Sequence, residues 1–147
     1  SLPQVSGIFG AGGEDVSPHL AWTGAPEDTK SYAVTCFDPD APTGSGFWHW
    51  VVYDIPSQIS ELSTGAGSQD GDLLPMGAKQ VKNDAGLYGY LGSAPPSGHG
   101  LHRYIFAVHA LSVESLPIDE NVSAAICGFN MFGNTLGRAL ITPVYEQ

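Results

Sequence analysis

The sequence predicts a single domain dominated by β-structure, on three observations. The chain has 147 residues, the size of one domain with its own core. Its 19 glycines and 11 prolines follow no triplet period and read as turns between many short elements. Charged residues make up only 14% and apolar residues 42%, too apolar and too sparsely charged for a disordered chain.

The elements follow in order. Residues 7–30 are rich in Gly, Pro, Asp and Ser, with one apolar island at His19-Leu20-Ala21-Trp22. They predict a loop, a short strand near 20–23 and a turn at Gly24-Ala25-Pro26-Glu27-Asp28. Ser31–Phe37 is β-branched and aromatic and is stopped by Asp38-Pro39, which predicts a strand. After a loop to Gly46, Phe47–Ile55 reads as a strand buried on both faces. Residues 56–100 are glycine-rich and mostly irregular, with one candidate strand at Ala78–Lys82; a structureless stretch of this length is commonly functional. Arg103–Leu111 is a further strand. In the tail, Val122, Ile126, Phe129, Leu136 and Leu140 fall at helical spacings after acidic Asp119-Glu120. Gly128, Gly133 and Gly137 interrupt them, so a broken helix packed on a sheet is expected.

Charge restricts the partners. The formal net charge is −10, and the only cations are Lys30, Lys79, Lys82, Arg103 and Arg138. No cluster exists to displace counterions from nucleic acid or to hold an anionic lipid surface. Cys36 and Cys127 lie far apart with no C-x-x-C or zinc spacing, as expected of two buried, reduced thiols. No run reaches 18 apolar residues, and Ser1-Leu2-Pro3-Gln4-Val5-Ser6-Gly7 is not a secretory signal. A cytoplasmic location and no stable membrane insertion are expected.

Several standard motifs fail. Gly10-Ala11-Gly12-Gly13 lacks the last glycine and the preceding strand of a dinucleotide fingerprint. There is no phosphate-loop G-K-[ST], no G-x-S-x-G elbow and no H-E-x-x-H. What remains are two polar clusters, each attached to a predicted strand: Asp38-Pro39-Asp40-Ala41-Pro42 leading into Trp48-His49-Trp50, and Gly92-Ser93-Ala94-Pro95-Pro96-Ser97-Gly98-His99-Gly100-Leu101 leading into His102-Arg103-Tyr104. Two carboxylates, two imidazoles and a phenol thus sit at strand ends, where rigid scaffolds present their sites. Each also has a plainer reading: Asp-Pro-Asp-Ala-Pro as a turn with Asx hydrogen bonds, and His49 as a core histidine bonded to a carbonyl. His19, His99 and His109 read as structural or exposed, and the tryptophans as core or pocket wall.

These two segments resemble the two signature regions of the phosphatidylethanolamine-binding protein family, also called Raf-kinase-inhibitor-like. The short loop Thr43-Gly44-Ser45-Gly46 and the segment Val16-Ser17-Pro18-His19-Leu20-Ala21-Trp22 resemble its bacterial branch. The likeness runs from about residue 7 to the C-terminus. It implies an antiparallel Greek-key β-sandwich with a short C-terminal helical segment and a small anion-accepting pocket at one end. It makes residues 1–147 one such domain, lacking the N-terminal strand segment with which family members usually begin. Carried over, the ligand-binding residues are Asp38, Asp40, His49, Pro96, His102 and Tyr104, with Trp48, Tyr90 and Ala94 nearby. The loop at 43–46 lacks the tyrosine through which some relatives bind, which weakens transfer of a head-group preference or a kinase partner.

Chemically, an anion held without lysines needs imidazole N–H, tyrosine O–H or backbone N–H donors. His49 and His102 are expected as donors, with a neighbouring aspartate fixing the tautomer and raising the imidazole pKa. Asp38 is assigned that orienting role. Asp40 is expected to pair with Arg103 and hold the two motif loops together, so Arg103 is structural at the site. The Asp/His set also has the composition of zinc ligands, but it lies on loops and the family does not require a metal. No metal and no cofactor are expected.

The leading function is therefore non-catalytic binding of small anionic or phosphorylated ligands, such as phospholipid head groups. The second is a regulator or inhibitor of a kinase or serine protease. The third is an acid–base enzyme using His49 or His102. The chain shows no activated nucleophile, so the expectation leans away from an enzyme. Unpaired strand edges admit a homodimer.

Overall fold

The computed structural model describes residues 16–92, 98, 100, 102–141 and 144–145. The elements in chain order are β1 (Leu20–Ala21), β2 (Ser31–Asp38), β3 (Phe47–Pro56), β4 (Glu61–Leu62), β5 (Lys79–Gln80), β6 (His102–Arg103), β7 (Ile105–Leu111), α1 (Ala124–Phe132), β8 (Thr135–Ile141) and β9 (Val144–Tyr145). A five-stranded antiparallel sheet of order β5-β3-β2-β7-β8 is joined by the two-stranded pairs β1-β4 and β6-β9. The fold is strand-dominated, as the composition predicts, and antiparallel with one short helix, as the resemblance implies.

Strand β2 lies in the middle of this sheet, hydrogen-bonded to β3 on one side and β7 on the other. Its alternating side chains feed two cores. Tyr32, Val34 and Cys36 join Trp50, Val52, Tyr90, Tyr104 and Phe106 on one face. On the other, Ala33 joins Val51, Tyr53 and Leu111 beneath Ala124, Cys127 and Met131 of α1. Burial on both faces explains why the β2 and β3 sequences are nearly continuous apolar runs. Cys36 and Cys127 are free thiols, each buried in a different core.

Two expectations for the second half are corrected. The strand predicted at Arg103–Leu111 is split at Tyr104: the short β6 pairs with β9, and only β7 joins the main sheet. The broken helix predicted to reach Leu140 is a nine-residue helix followed by a strand. The Ser123 hydroxyl caps α1 by accepting the Ile126 N–H at 3.1 Å, which places its start after Asp119-Glu120. Gly133 closes it. Residues spaced by four, such as Leu136 and Leu140, also satisfy a period of two, and pairing with β7 decides for the strand. No helix among the described residues is long and apolar enough to cross a membrane.

Candidate functional site

Three backbone features bring the two motif regions together. The β2–β3 ladder pairs Cys36 with Trp50 and Phe37 with Trp48, so His49 is the extra residue of a β-bulge. Such a bulge re-aims side chains near a sheet end. Here Trp48 packs on Phe37 with ring centroids 4.5 Å apart, against the α1-side core. His49 instead packs against Phe47 and Tyr104, at 4.9 and 5.3 Å. Gly89 is the second feature. Its φ is +103°, and a Cβ there would collide with the Gly67 carbonyl oxygen, so only glycine fits. This close approach lets the Tyr90 N–H donate to the Gly67 carbonyl at 2.7 Å and seats Leu91 beside His49. The third is the end of β2, where Asp38 meets β6.

His49 is anchored twice to residue 91. The Leu91 N–H donates to the His49 carbonyl, and the His49 Nδ1–H donates to the Leu91 carbonyl, both at 2.9 Å. A carbonyl only accepts, so Nδ1 carries the proton and Nε2 is left with its lone pair in the neutral ring. Burial pushes the imidazole below its ordinary 6.5, against the opposing pull of the Leu91 carbonyl, Asp38 and Asp84. The expectation of a donor with a raised pKa is therefore corrected at His49: desolvation outweighs the nearby carboxylates. The Leu91 carbonyl was not legible in the sequence, because a backbone acceptor leaves no residue-type signal.

Asp38 takes the orienting role the sequence assigns to it, on His102. Its Oδ2 accepts from His102 Nδ1 at 2.7 Å, with side chains 3% and 1% exposed. Its Oδ1 accepts the Asp40 N–H at 2.8 Å. The Asx turn and the site are thus one structure, each using one carboxylate oxygen. Tyr104 is the common neighbour: its ring stacks near His102, with centroids 6.5 Å apart, and meets His49 edge-on.

Asp40 binds Arg103, as expected. Its Oδ2 accepts the Arg103 backbone N–H and Nε at 2.8 and 2.9 Å, and its Oδ1 accepts Nη2 at 2.9 Å. The guanidinium holds this carboxyl down at about 2. One expected neighbour lies elsewhere: Trp48 is turned to the α1-side face of the sheet. The Tyr90 ring packs between Trp50 and Phe106, in the same core as Tyr104. Pro96 and Ala94 lie outside the described residues, with most of the second motif. Asp84 was not anticipated: its Oδ2 accepts the Trp48 backbone N–H at 2.8 Å, fixing the start of β3.

The family model described as phosphatidylethanolamine-binding protein matches residues 1–146. The Escherichia coli UPF0098 protein YbcL is 51% identical over 138 residues, covering 94% of this chain and 75% of the relative. The E. coli protein YbhB is 49% identical, covering 94% and 86%. Among solved structures, that of E. coli YbcL, described as a new member of the mammalian PEBP family, superposes with a TM-score of 0.94 at 50% identity. It covers 97% of this chain and 87% of that one. A phosphatidylethanolamine-binding protein homolog from Chlamydia trachomatis gives 0.74 at 31% identity, covering 90% and 82%.

Proposed function

Because the chain belongs to the phosphatidylethanolamine-binding protein family, we propose that it binds small phosphorylated anions of the phospholipid head-group type, without transforming them, around Asp38, His49, His102 and Tyr104. The observation that carries this reading is the buried 2.7 Å contact between Asp38 and His102. A buried carboxylate on Nδ1 fixes the orientation of the His102 ring within the cluster.

His49 narrows the ligand. Neutral, with its Nδ1–H committed to Leu91, it offers an acceptor and calls for a ligand hydroxyl. A phosphomonoester monoanion has a P–OH; a diester does not. Support for binding without turnover comes from the thiols. Burial raises Cys36 well above its ordinary value and Cys127 to about 12, so neither is an activated nucleophile.

Calorimetric titration with O-phosphoethanolamine tests the reading. Affinity is expected to fall at least about tenfold in His102→Gln, consistent with loss of a strong hydrogen bond to the anion. Glycerophosphoethanolamine, a diester, is expected to bind more weakly. Unchanged affinity in both His102→Gln and His49→Gln would remove the cluster from the ligand site.

A further inference from the structure

On the face of the sheet opposite the Asp38–His102 site, α1 covers only part of the surface and leaves a groove of about 820 Å³. That is the size of a small-molecule cleft. Phe37, Trp48 and Ile105 wall it from the sheet, Met131 and Phe132 from the helix, and Leu140 from the edge strand. It stays open because the first two turns of the helix offer it only Ala125 and Gly128. A Cβ added at Gly128 meets nothing within 4 Å.

The polar groups in this groove have a definite arrangement. His109 and Arg138 are direct cross-strand partners on β7 and β8, and both line it. The His109 Nε2 lies 3.3 Å from Thr35 Oγ1. Burial, helped by Arg138, holds this imidazole down at about 4, so it is neutral at physiological pH. Arg138 has no carboxylate within ion-pair distance among the described residues, in a chain where acids outnumber cations 15 to 5. The groove therefore combines an apolar trough with one unpaired, exposed positive charge at its rim.

From this complementarity the geometry points to a second ligand site: an amphipathic monoanion, with its carboxylate on Arg138 and its apolar body in the trough between α1 and the sheet. A second copy of the chain is the poorer occupant, because it would bring a further net −10 against a concave, ligand-sized cleft.

Calorimetric titration with decanoate and 2-naphthoate, as acyl and aryl probes, and with decanol as the uncharged control, tests this. One carboxylate is expected to bind per chain, more tightly than decanol. Arg138→Gln is expected to weaken it about tenfold, as for a lost charge-assisted hydrogen bond. Gly128→Leu, which fills the trough while replacing a helix-weakening residue, is expected to abolish binding. Both variants should keep the wild-type response to O-phosphoethanolamine, and His102→Gln should keep the decanoate response, so the two sites fail independently. Preference for decanoate over 2-naphthoate, or the reverse, identifies the class of apolar body. The proposal is overturned if neither carboxylate binds, if decanol binds as tightly, or if Gly128→Leu has no effect. It is also overturned if light scattering finds a dimer that Gly128→Leu dissociates, since a second copy would then fill the groove.

Discussion

Arg103 donates three hydrogen bonds to the carboxylate of Asp40, from its backbone N–H, its Nε and its Nη2. It thereby ties the loop after β2 to β6 across 63 positions of sequence. The forked geometry fixes orientation as well as distance. Both side chains reach solvent, at 54% and 29% exposure, so the pair adds little to stability. Its value lies in position. Asp40 donates its own N–H to Asp38, and Asp38 holds His102.

Arg103→Gln is therefore expected to lower the affinity for O-phosphoethanolamine several-fold while moving the unfolding midpoint little. Thermal melts and calorimetry on the same samples check the split. Equal losses in both would make the pair a plain stabiliser. The carboxyl at about 2 sets the pH window: the pair is intact above the ordinary carboxylate value near 3.8 and is lost as pH falls through 2.

Asp38→Asn should be more damaging. The amide keeps the shape but replaces the carboxylate that holds the His102 ring, at a position 2% exposed. A stability loss of about 2–3 kcal/mol is expected, from a buried charged hydrogen bond made neutral. At least about a tenfold loss of anion affinity should accompany it. Urea denaturation and titration measure the two, and wild-type affinity in a folded Asp38→Asn protein would separate Asp38 from the site.

Stability should decline in mild acid. His49 and His109 both have folded pKa values below the ordinary 6.5, with His109 at about 4. Between the folded and unfolded values the unfolded chain binds more protons. Their contribution is therefore full above about 6.5 and is lost as pH falls toward 4. For half-buried His109 the loss is about 1–3 kcal/mol. His109→Gln, which keeps a hydrogen-bonding group and cannot titrate, is expected to make the decline shallower. An unchanged slope would assign the acid sensitivity elsewhere.

Asp54 has a φ of +57°, the left-handed region, near the end of β3. Its carboxylate accepts from Ser115 Oγ and the Leu116 N–H, both at 2.9 Å, and from Lys79 Nζ at 3.4 Å. The loop after β7 is thus pinned to the sheet by a residue in a conformation few side chains adopt. Asp54→Asn, which tolerates this backbone and retains one acceptor, is expected to cost about half of what Asp54→Ala costs, itself about 3 kcal/mol. Equal losses by urea denaturation would show that the carboxylate's charge is the whole effect.

The sequence by itself determined the three central strands, with the last drawn two residues too long at its start, and the two motif segments that meet at the site. Ser31–Phe37, Phe47–Ile55 and Ile105–Leu111 are legible because burial on two faces demands uninterrupted β-branched and aromatic runs. Asp38 and Asp40 are legible because carboxylates beside proline, at strand ends, need partners that the second motif supplies. Tertiary structure decided what depends on backbone groups and on register. The bulge at His49 turns Trp48 away from the site. The Leu91 carbonyl, delivered by the Gly89 turn, fixes the proton on His49 Nδ1, and desolvation, not the neighbouring acids, sets the direction of its pKa. Pairing with β7 makes a strand of residues whose spacing fits a helix equally well. Each of these depends on where distant chain segments meet, and side-chain chemistry read along one strand does not carry that information.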